Sequence, residues 1–170
     1  MYLDNSYLIC ELPEPLSDDI ISWAYDFIDH DIIYAEDTFY GITHNVHITL
    51  LSDIIDSDLK KIKQSVENIP TFSCVLGEMK KFTTNSKFDV LYIDVLSDDA
   101  IKINKELSQY LSHSKFYVNY IPHVTICYLK KGCGENFLGS KYFNGSGFQV
   151  ETITFSSPTQ SAKFNLGIKK

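Results

Sequence analysis

The sequence predicts an α+β fold with mainly antiparallel sheets, and three observations predict it. Strand-like apolar runs and helical stripes follow in the order β–α–β–α–β–β–α–β–β–β, with short turns between strands and helices interspersed. A His-x-Thr triplet occurs twice, at His47-Ile48-Thr49 and His123-Val124-Thr125, 123 − 47 = 76 residues apart. Each copy lies in a short apolar run after a helix and a connecting segment, so the chain reads as a diverged internal repeat. No linker or low-complexity segment divides it, and residues 1–170 are expected to form a single domain.

Tyr7 to Leu12 reads as a first strand, stopped by Pro13 and Pro15. Ser17 is the expected N-cap of a helix running to about His30, with Ile20, Trp23, Ala24, Phe27 and Ile28 at helical spacing. Residues 31–45 read as a short strand and a loop, and the first His-x-Thr strand spans roughly 45–52. A second helix starts near Ser57 and carries Leu59, Ile62, Val66 and Ile69 on one stripe until Pro70 stops it. Phe72–Met79 and Phe88–Leu96 form the next two strands, joined by a polar turn at Thr83–Lys87. Ser97 caps a third helix with Asp98 and Asp99 in its first turn and Ala100, Ile103, Leu107, Tyr110 and Leu111 on its stripe. The second His-x-Thr strand spans 122–129, a glycine-bearing loop follows, and Phe148–Phe155 and Ala162–Ile168 close the chain as two strands.

Composition excludes several classes of function. The chain is 44% hydrophobic and 14% aromatic, ample for a folded core. Its net charge of −7 argues against binding a long nucleic-acid backbone, which needs a basic face, but leaves room for a small nucleotide. All 15 basic residues are lysines, so no guanidinium fork is available to clamp a phosphate. The four cysteines form no C-x-x-C pair, and three of them, Cys10, Cys74 and Cys127, sit in apolar runs as buried thiols do. No signal peptide and no apolar run near 20 residues is seen, so a cytoplasmic protein without a membrane span is expected.

The chemistry rests on the repeated triplet. Side chains alternate along a strand, so His47 and Thr49 share one face while Val46, Ile48 and Leu50 turn to the other. The same parity joins His123 to Thr125 and sends Val124 and Ile126 away. An imidazole titrates near ~6.5 and serves as general base or general acid. A threonine hydroxyl on the same face donates to a phosphate oxygen. Two such half-sites provide for in-line displacement at phosphorus: one imidazole takes the nucleophile's proton, the other protonates the leaving oxygen, and the hydroxyls stabilise the non-bridging oxygens. A three-histidine metal site with His44 is disfavoured, because positions 44 and 47 point to opposite faces of a strand and no acidic residue flanks the pair. No metal or cofactor is expected.

Two His-x-Thr motifs in a duplicated chain of this size resemble the 2H phosphoesterase superfamily, with its 2′-5′ RNA ligase-like fold. The resemblance implies a two-lobed fold with pseudo-twofold, duplicated antiparallel sheets and flanking helices. It further implies a cleft holding His47, Thr49, His123 and Thr125 as the catalytic set, and metal-independent phosphodiester chemistry on nucleotides with a 2′-hydroxyl or a 2′,3′-cyclic phosphate. Branches acting on RNA ends often carry an arginine after the second motif, where this chain has Cys127-Tyr128-Leu129. Phe39-Tyr40-Gly41 and Tyr120-Ile121-Pro122 precede the two motifs, and Lys130-Lys131-Gly132 comes after the later one. In these runs the chain more closely resembles the phage anti-CBASS phosphodiesterases. That branch degrades cyclic di- and trinucleotide signals in the host cytoplasm, so the implied partner is a cyclic oligonucleotide.

Substrate-binding candidates follow. Flat side chains stack on bases, and Tyr7, Tyr40, Tyr117, Tyr120 and Phe155 are candidates, with Tyr7 and Tyr117 preferred. Glu151, as an acceptor for a base edge, is carried by the resemblance. Lys130 belongs to the basic loop Lys130-Lys131-Gly132-Cys133-Gly134, which is placed to close over a phosphate.

Overall fold

The computed structural model of the chain describes residues 6–114 and 119–167. Its elements are β1 (Tyr7–Glu11), α1 (Glu14–Phe27), β2 (His47–Leu51), α2 (Leu59–Val66), β3 (Phe72–Phe82), β4 (Phe88–Leu96), α3 (Asp98–Tyr110), β5 (His123–Lys130), β6 (Gly147–Val150), β7 (Thr152–Ser156) and β8 (Ser161–Asn165). The strands form one antiparallel sheet in the order β6-β3-β4-β5-β2-β1-β7-β8. The two His-x-Thr strands are therefore central neighbours, and each is flanked by a strand of its own half. The duplication legible in the sequence is realised as this near-symmetric order.

One face of the sheet carries the core. Leu8, Cys10, Ile48, Leu50, Leu91, Ile93, Val124, Ile126, Ile153 and Phe155 alternate inward and are almost wholly buried. The helices cover this face, with α1 against β5 and α3 against β2, so each half's helix supports the other half's His-x-Thr strand. The opposite, open face carries the histidines.

Three sequence expectations are corrected. Helix α1 begins at Glu14 rather than after Ser17, because Pro15 falls in the first turn, where its fixed φ suits a helix and its missing N–H costs nothing. Ser17 instead donates to the Glu14 carbonyl. The second helix is capped by Asp58, whose carboxylate accepts from the Lys60 amide, whereas Ser97 caps α3 as expected. The expected single strand Phe148–Phe155 is two strands, β6 on β3 and β7 on β1, on opposite flanks of the sheet. One residue, Glu151, joins them, so the sheet curls until its flanks meet. Pro70 and Gly167 bridge there, and the Leu166 amide donates to the Glu151 carbonyl.

Candidate active site

The sequence after each triplet explains its local geometry. Both strands continue with two consecutive apolar residues, Leu50-Leu51 and Ile126-Cys127, and all four are buried. Consecutive burial breaks the two-residue period, so each strand bulges there. In β2, Thr49 faces Ile9 while Leu51 faces Leu8, leaving Leu50 extra. In β5, Thr125 faces Tyr92 while Cys127 faces Leu91, leaving Ile126 extra. The bulged carbonyls find partners outside the ladder: Asn104 of α3 donates to Leu50 O at 2.7 Å, and the Thr43 amide donates to Ile126 O at 2.9 Å.

The two half-sites meet where Ile48 pairs with Val124, the one register pair between β2 and β5. One antiparallel step to either side sets His47 across from Thr125 and Thr49 across from His123. All four half-buried side chains thus share the open face around one point. Directly opposed Cβ atoms in such a pair lie about 5 Å apart and diagonal ones about 7–8 Å. That spacing lets the four side chains converge on one tetrahedral phosphate.

Each imidazole is held the same way. His47 Nδ1 lies 2.7 Å from Asn45 O, and His123 Nδ1 lies 2.7 Å from Ile121 O. A carbonyl only accepts, so Nδ1 carries the proton in both rings and Nε2 is free for proton transfer. Burial pushes both imidazoles below their ordinary range; the backbone carbonyl bond and a nearby carboxylate oppose that, and His47 adds to it at His123.

Those carboxylates are Glu11, directly across from His47, and Asp94, directly across from His123. Each is neutralised by a lysine: Lys163 lies 2.7 Å from Glu11, and Lys80 lies 2.5 Å from Asp94. On the His123 side Tyr92 and Phe82 form an aromatic wall, with centroids 5.3 and 4.9 Å from the imidazole. Sequence reasoning missed Glu11, Asp94, Lys80 and Lys163. Glu11 and Asp94 stand out only as acidic residues in largely apolar strands, and Lys80 and Lys163 lie among other polar residues and carry no signal.

The other candidates are placed as follows. Tyr7 is half-buried on β1 and shares the open face with Ile9, the neighbour of Thr49. Tyr117 lies outside the described residues. Glu151 is exposed at the β6–β7 crossing and is not on the open face of the strands that carry the half-sites. Lys130 ends β5 five residues beyond Thr125, about 16 Å along the strand. Its ammonium donates to Asp31 O at 2.7 Å, and Lys131 is tied to Thr83, Asn85 and Asp89. The basic loop is therefore anchored, and the structure does not bring Lys130 to the histidines. Phe155 is fully buried in the core, and Tyr120 donates to Thr49 O at 2.8 Å instead of offering a stacking face. Tyr40 packs within a cluster of Tyr34, Phe39, Phe88 and Tyr128. His44 is exposed beside the Tyr25 hydroxyl. No described helix is long and apolar enough to cross a membrane.

No protein-family model matches this chain, and no curated protein matches its sequence. Solved structures match it over nearly its whole length. TT0787 of Thermus thermophilus is 13% identical, with 98% of this chain and 100% of that chain covered and a TM-score of 0.67. E. coli LigT complexed with 3′-AMP is 13% identical, with 96% and 98% covered and a TM-score of 0.68. Kluyveromyces marxianus Usb1 is 11% identical, with 96% and 98% covered and a TM-score of 0.59. The curled eight-stranded sheet with its two central His-x-Thr strands thus has the LigT-like 2H phosphoesterase fold.

Proposed function

We propose that this chain is a phosphodiesterase that cleaves 3′–5′ bonds of cyclic di- or trinucleotides through attack by the substrate's own 2′-hydroxyl. One observation carries the reading: two half-sites meet at Ile48–Val124 with both Nε2 atoms left free by matching Nδ1 bonds. The neutral imidazole accepts the 2′-OH proton at Nε2. The 2′-oxygen forms a bond to phosphorus as the bond to the 5′-oxygen breaks, and the protonated imidazole supplies that oxygen's proton. The product carries a 2′,3′-cyclic phosphate. Thr49 and Thr125 donate to the non-bridging oxygens where charge builds. Charge balance supports a diester, since Glu11–Lys163 and Asp94–Lys80 are neutral pairs and one imidazolium then matches one monoanionic phosphodiester. Acting on cyclic signals, the enzyme would counter a CBASS-type antiviral defence.

A second reading, cleavage of 2′-5′ oligoadenylates or RNA 2′,3′-cyclic phosphate ends, is favoured by the likeness to LigT, whose structure holds 3′-AMP. The absence of any arginine weighs against it. A nucleotide sponge would need no paired acid and base. The test is an assay in EDTA with cyclic dinucleotides, their 2′-deoxy analogues, 2′-5′ oligomers and cyclic-phosphate RNA ends. Cleavage of the ribose cyclic dinucleotides alone is expected, lost in both His47→Ala and His123→Ala. Activity abolished by chelation, retained in both variants, or undiminished on 2′-deoxy sugars overturns the mechanism; intact ligand recovered after long incubation means a sponge.

A further inference from the structure

The geometry points to a second anion subsite beside His47, built from Lys163 and Thr154, that takes the non-scissile phosphate of a substrate with two phosphodiester groups. The inference rests on the phosphodiesterase reading and deepens it. Thr154 lies on the open face of β7, because Ile153 and Phe155 on either side are fully buried in the core. It is only 9% exposed, yet its hydroxyl is buried with no hydrogen-bond partner. A dry, unpaired hydroxyl is costly in a folded protein and points to a partner absent from the free chain.

Lys163 sits directly across from Thr154 on β8. Its ammonium bonds Glu11 on β1, and β7 lies between β8 and β1. The lysine side chain therefore spans β7 obliquely, from the level of Thr154 towards that of Thr152, on the face that carries the Thr154 hydroxyl. Glu11 is the cross-strand neighbour of His47, so the ammonium is held one strand from the reaction centre. An anion arriving there competes with Glu11 for Lys163. As the lysine turns to it, the Thr154 hydroxyl meets the same anion and gains its missing acceptor. A lysine parked on a half-exposed carboxylate is a weak ion pair that a phosphate can displace. Among the described residues the His123 half has no counterpart: Lys80 holds Asp94 from the adjacent strand, and no unpaired buried hydroxyl lies there. A mononucleotide carries no phosphate for this subsite, whereas a cyclic dinucleotide does.

Two measurements test this. In the first, inorganic phosphate is titrated into the full chain and followed by backbone amide shifts. The amides of Thr154 and Lys163 should move to saturation as well as those of Thr49 and Thr125. Lys163→Gln should abolish the first response and keep the second, and Thr154→Val should weaken the first while raising the melting temperature. In the second, binding of a 2′-deoxy cyclic dinucleotide is compared with that of a nucleoside 2′,3′-cyclic monophosphate. Lys163→Gln should weaken both ligands by uncovering Glu11, and should weaken the dinucleotide about tenfold more than the monophosphate, as loss of one further charge-assisted contact does. Lys163→Arg should restore affinity, and the surface control Lys102→Gln should change nothing. An effect of Lys163→Gln on both ligands alike, no effect on either, or a phosphate response at Thr154 that survives Lys163→Gln overturns the subsite. If the chain binds no dinucleotide, the proposed substrate class falls, while the phosphate titration still decides the subsite.

Discussion

Tyr120→Phe removes one oxygen and tests what holds the two half-sites together. β2 and β5 share a single register pair, so a ladder does not fix the distance between His47 and His123. The Tyr120 hydroxyl, three residues before His123, ties that end of β5 to β2 by donating to Thr49 O at 2.8 Å. Burial pushes this hydroxyl well above its usual range, so it is a donor at any working pH. A neutral hydrogen bond in such a place contributes about 1–1.5 kcal/mol. For a chain of this length that corresponds to a fall in Tm of about 2–6 °C. The catalytic loss should exceed this, because displacing a reacting group by about 1 Å costs up to about 10²-fold. We expect kcat on a cyclic dinucleotide to fall about tenfold at a temperature where the variant is fully folded, with KM nearly unchanged. Thermal unfolding and steady-state kinetics on the same preparation supply both numbers. A Tm loss with kcat within twofold of wild type would mean that the bond stabilises the fold without positioning the chemistry.

Thr49→Val and Thr125→Val, close in volume, should each lower kcat by about 10²–10³ with folding intact, as removal of an oxyanion donor does; retention of full kcat in both refutes the role given to the hydroxyls. Both imidazoles are depressed by burial, so the unfolded chain takes up their protons first as pH falls. The stability they contribute is complete above pH ~6.5 and is lost as pH falls below it towards their folded values. Melting curves from pH 8 to 5 should show this loss, inorganic phosphate should reduce it, and His47→Gln/His123→Gln should flatten it. Asp89→Ala should lower Tm by about 6–12 °C, equivalent to about 3 kcal/mol, by taking from Lys81, 3% of whose side chain is exposed, the carboxylate 3.2 Å away and leaving it Glu135 and the Cys133 carbonyl. Lys131 and the Gly132 amide lose the same acceptor, and a change below 2 °C would show the network to be dispensable.

That the two His-x-Thr triplets lie in strands with His and Thr on one face was legible because its signal is local. Strand parity alone puts His and Thr on one face, and two copies make chance a poor account. The Ser97 cap and most of each helix stripe were legible for the same reason, although Phe27, Leu59 and Tyr110, expected on the stripes, are exposed. What lay hidden depends on register. The apolar alternation shifts phase between Val150 and Ile153, a three-residue step around Glu151 that reads as a bulge in one strand until β6 and β7 are placed on opposite flanks of the sheet. Glu11 and Asp94 resemble solvated charges at strand ends until β1 and β4 are aligned on β2 and β5. The glycines after Lys130 suggest a mobile loop, but Lys130 is the last residue of β5 and its ammonium donates to the Asp31 carbonyl. The bulges were written openly, as two adjacent apolar residues after each threonine, although that signature has meaning only once the strands are paired.

Duplication poses a problem that the flanks of the sheet resolve. In-line displacement needs one imidazole neutral and the other protonated, yet a repeated strand with a repeated Nδ1 anchor offers two equal groups. The difference comes from neighbours outside the repeat. His123 is packed edge to face by Phe82 and Tyr92, which are themselves stacked with centroids 4.1 Å apart, and its carboxylate is braced by a lysine one strand away. His47 has no such aromatic wall among the described residues, and the lysine on its carboxylate reaches over an intervening strand. The His123 side is thus walled by aromatic rings, while the lysine on the His47 side is the one that the proposed subsite would exchange. A ligand that draws Lys163 away leaves Glu11 to support a proton on His47, and the same displacement leaves His123 as it was. On the proposed mechanism, two imidazoles with the same Nδ1 anchor would be made unequal by these neighbours once substrate is bound, and acid–base catalysis requires that inequality.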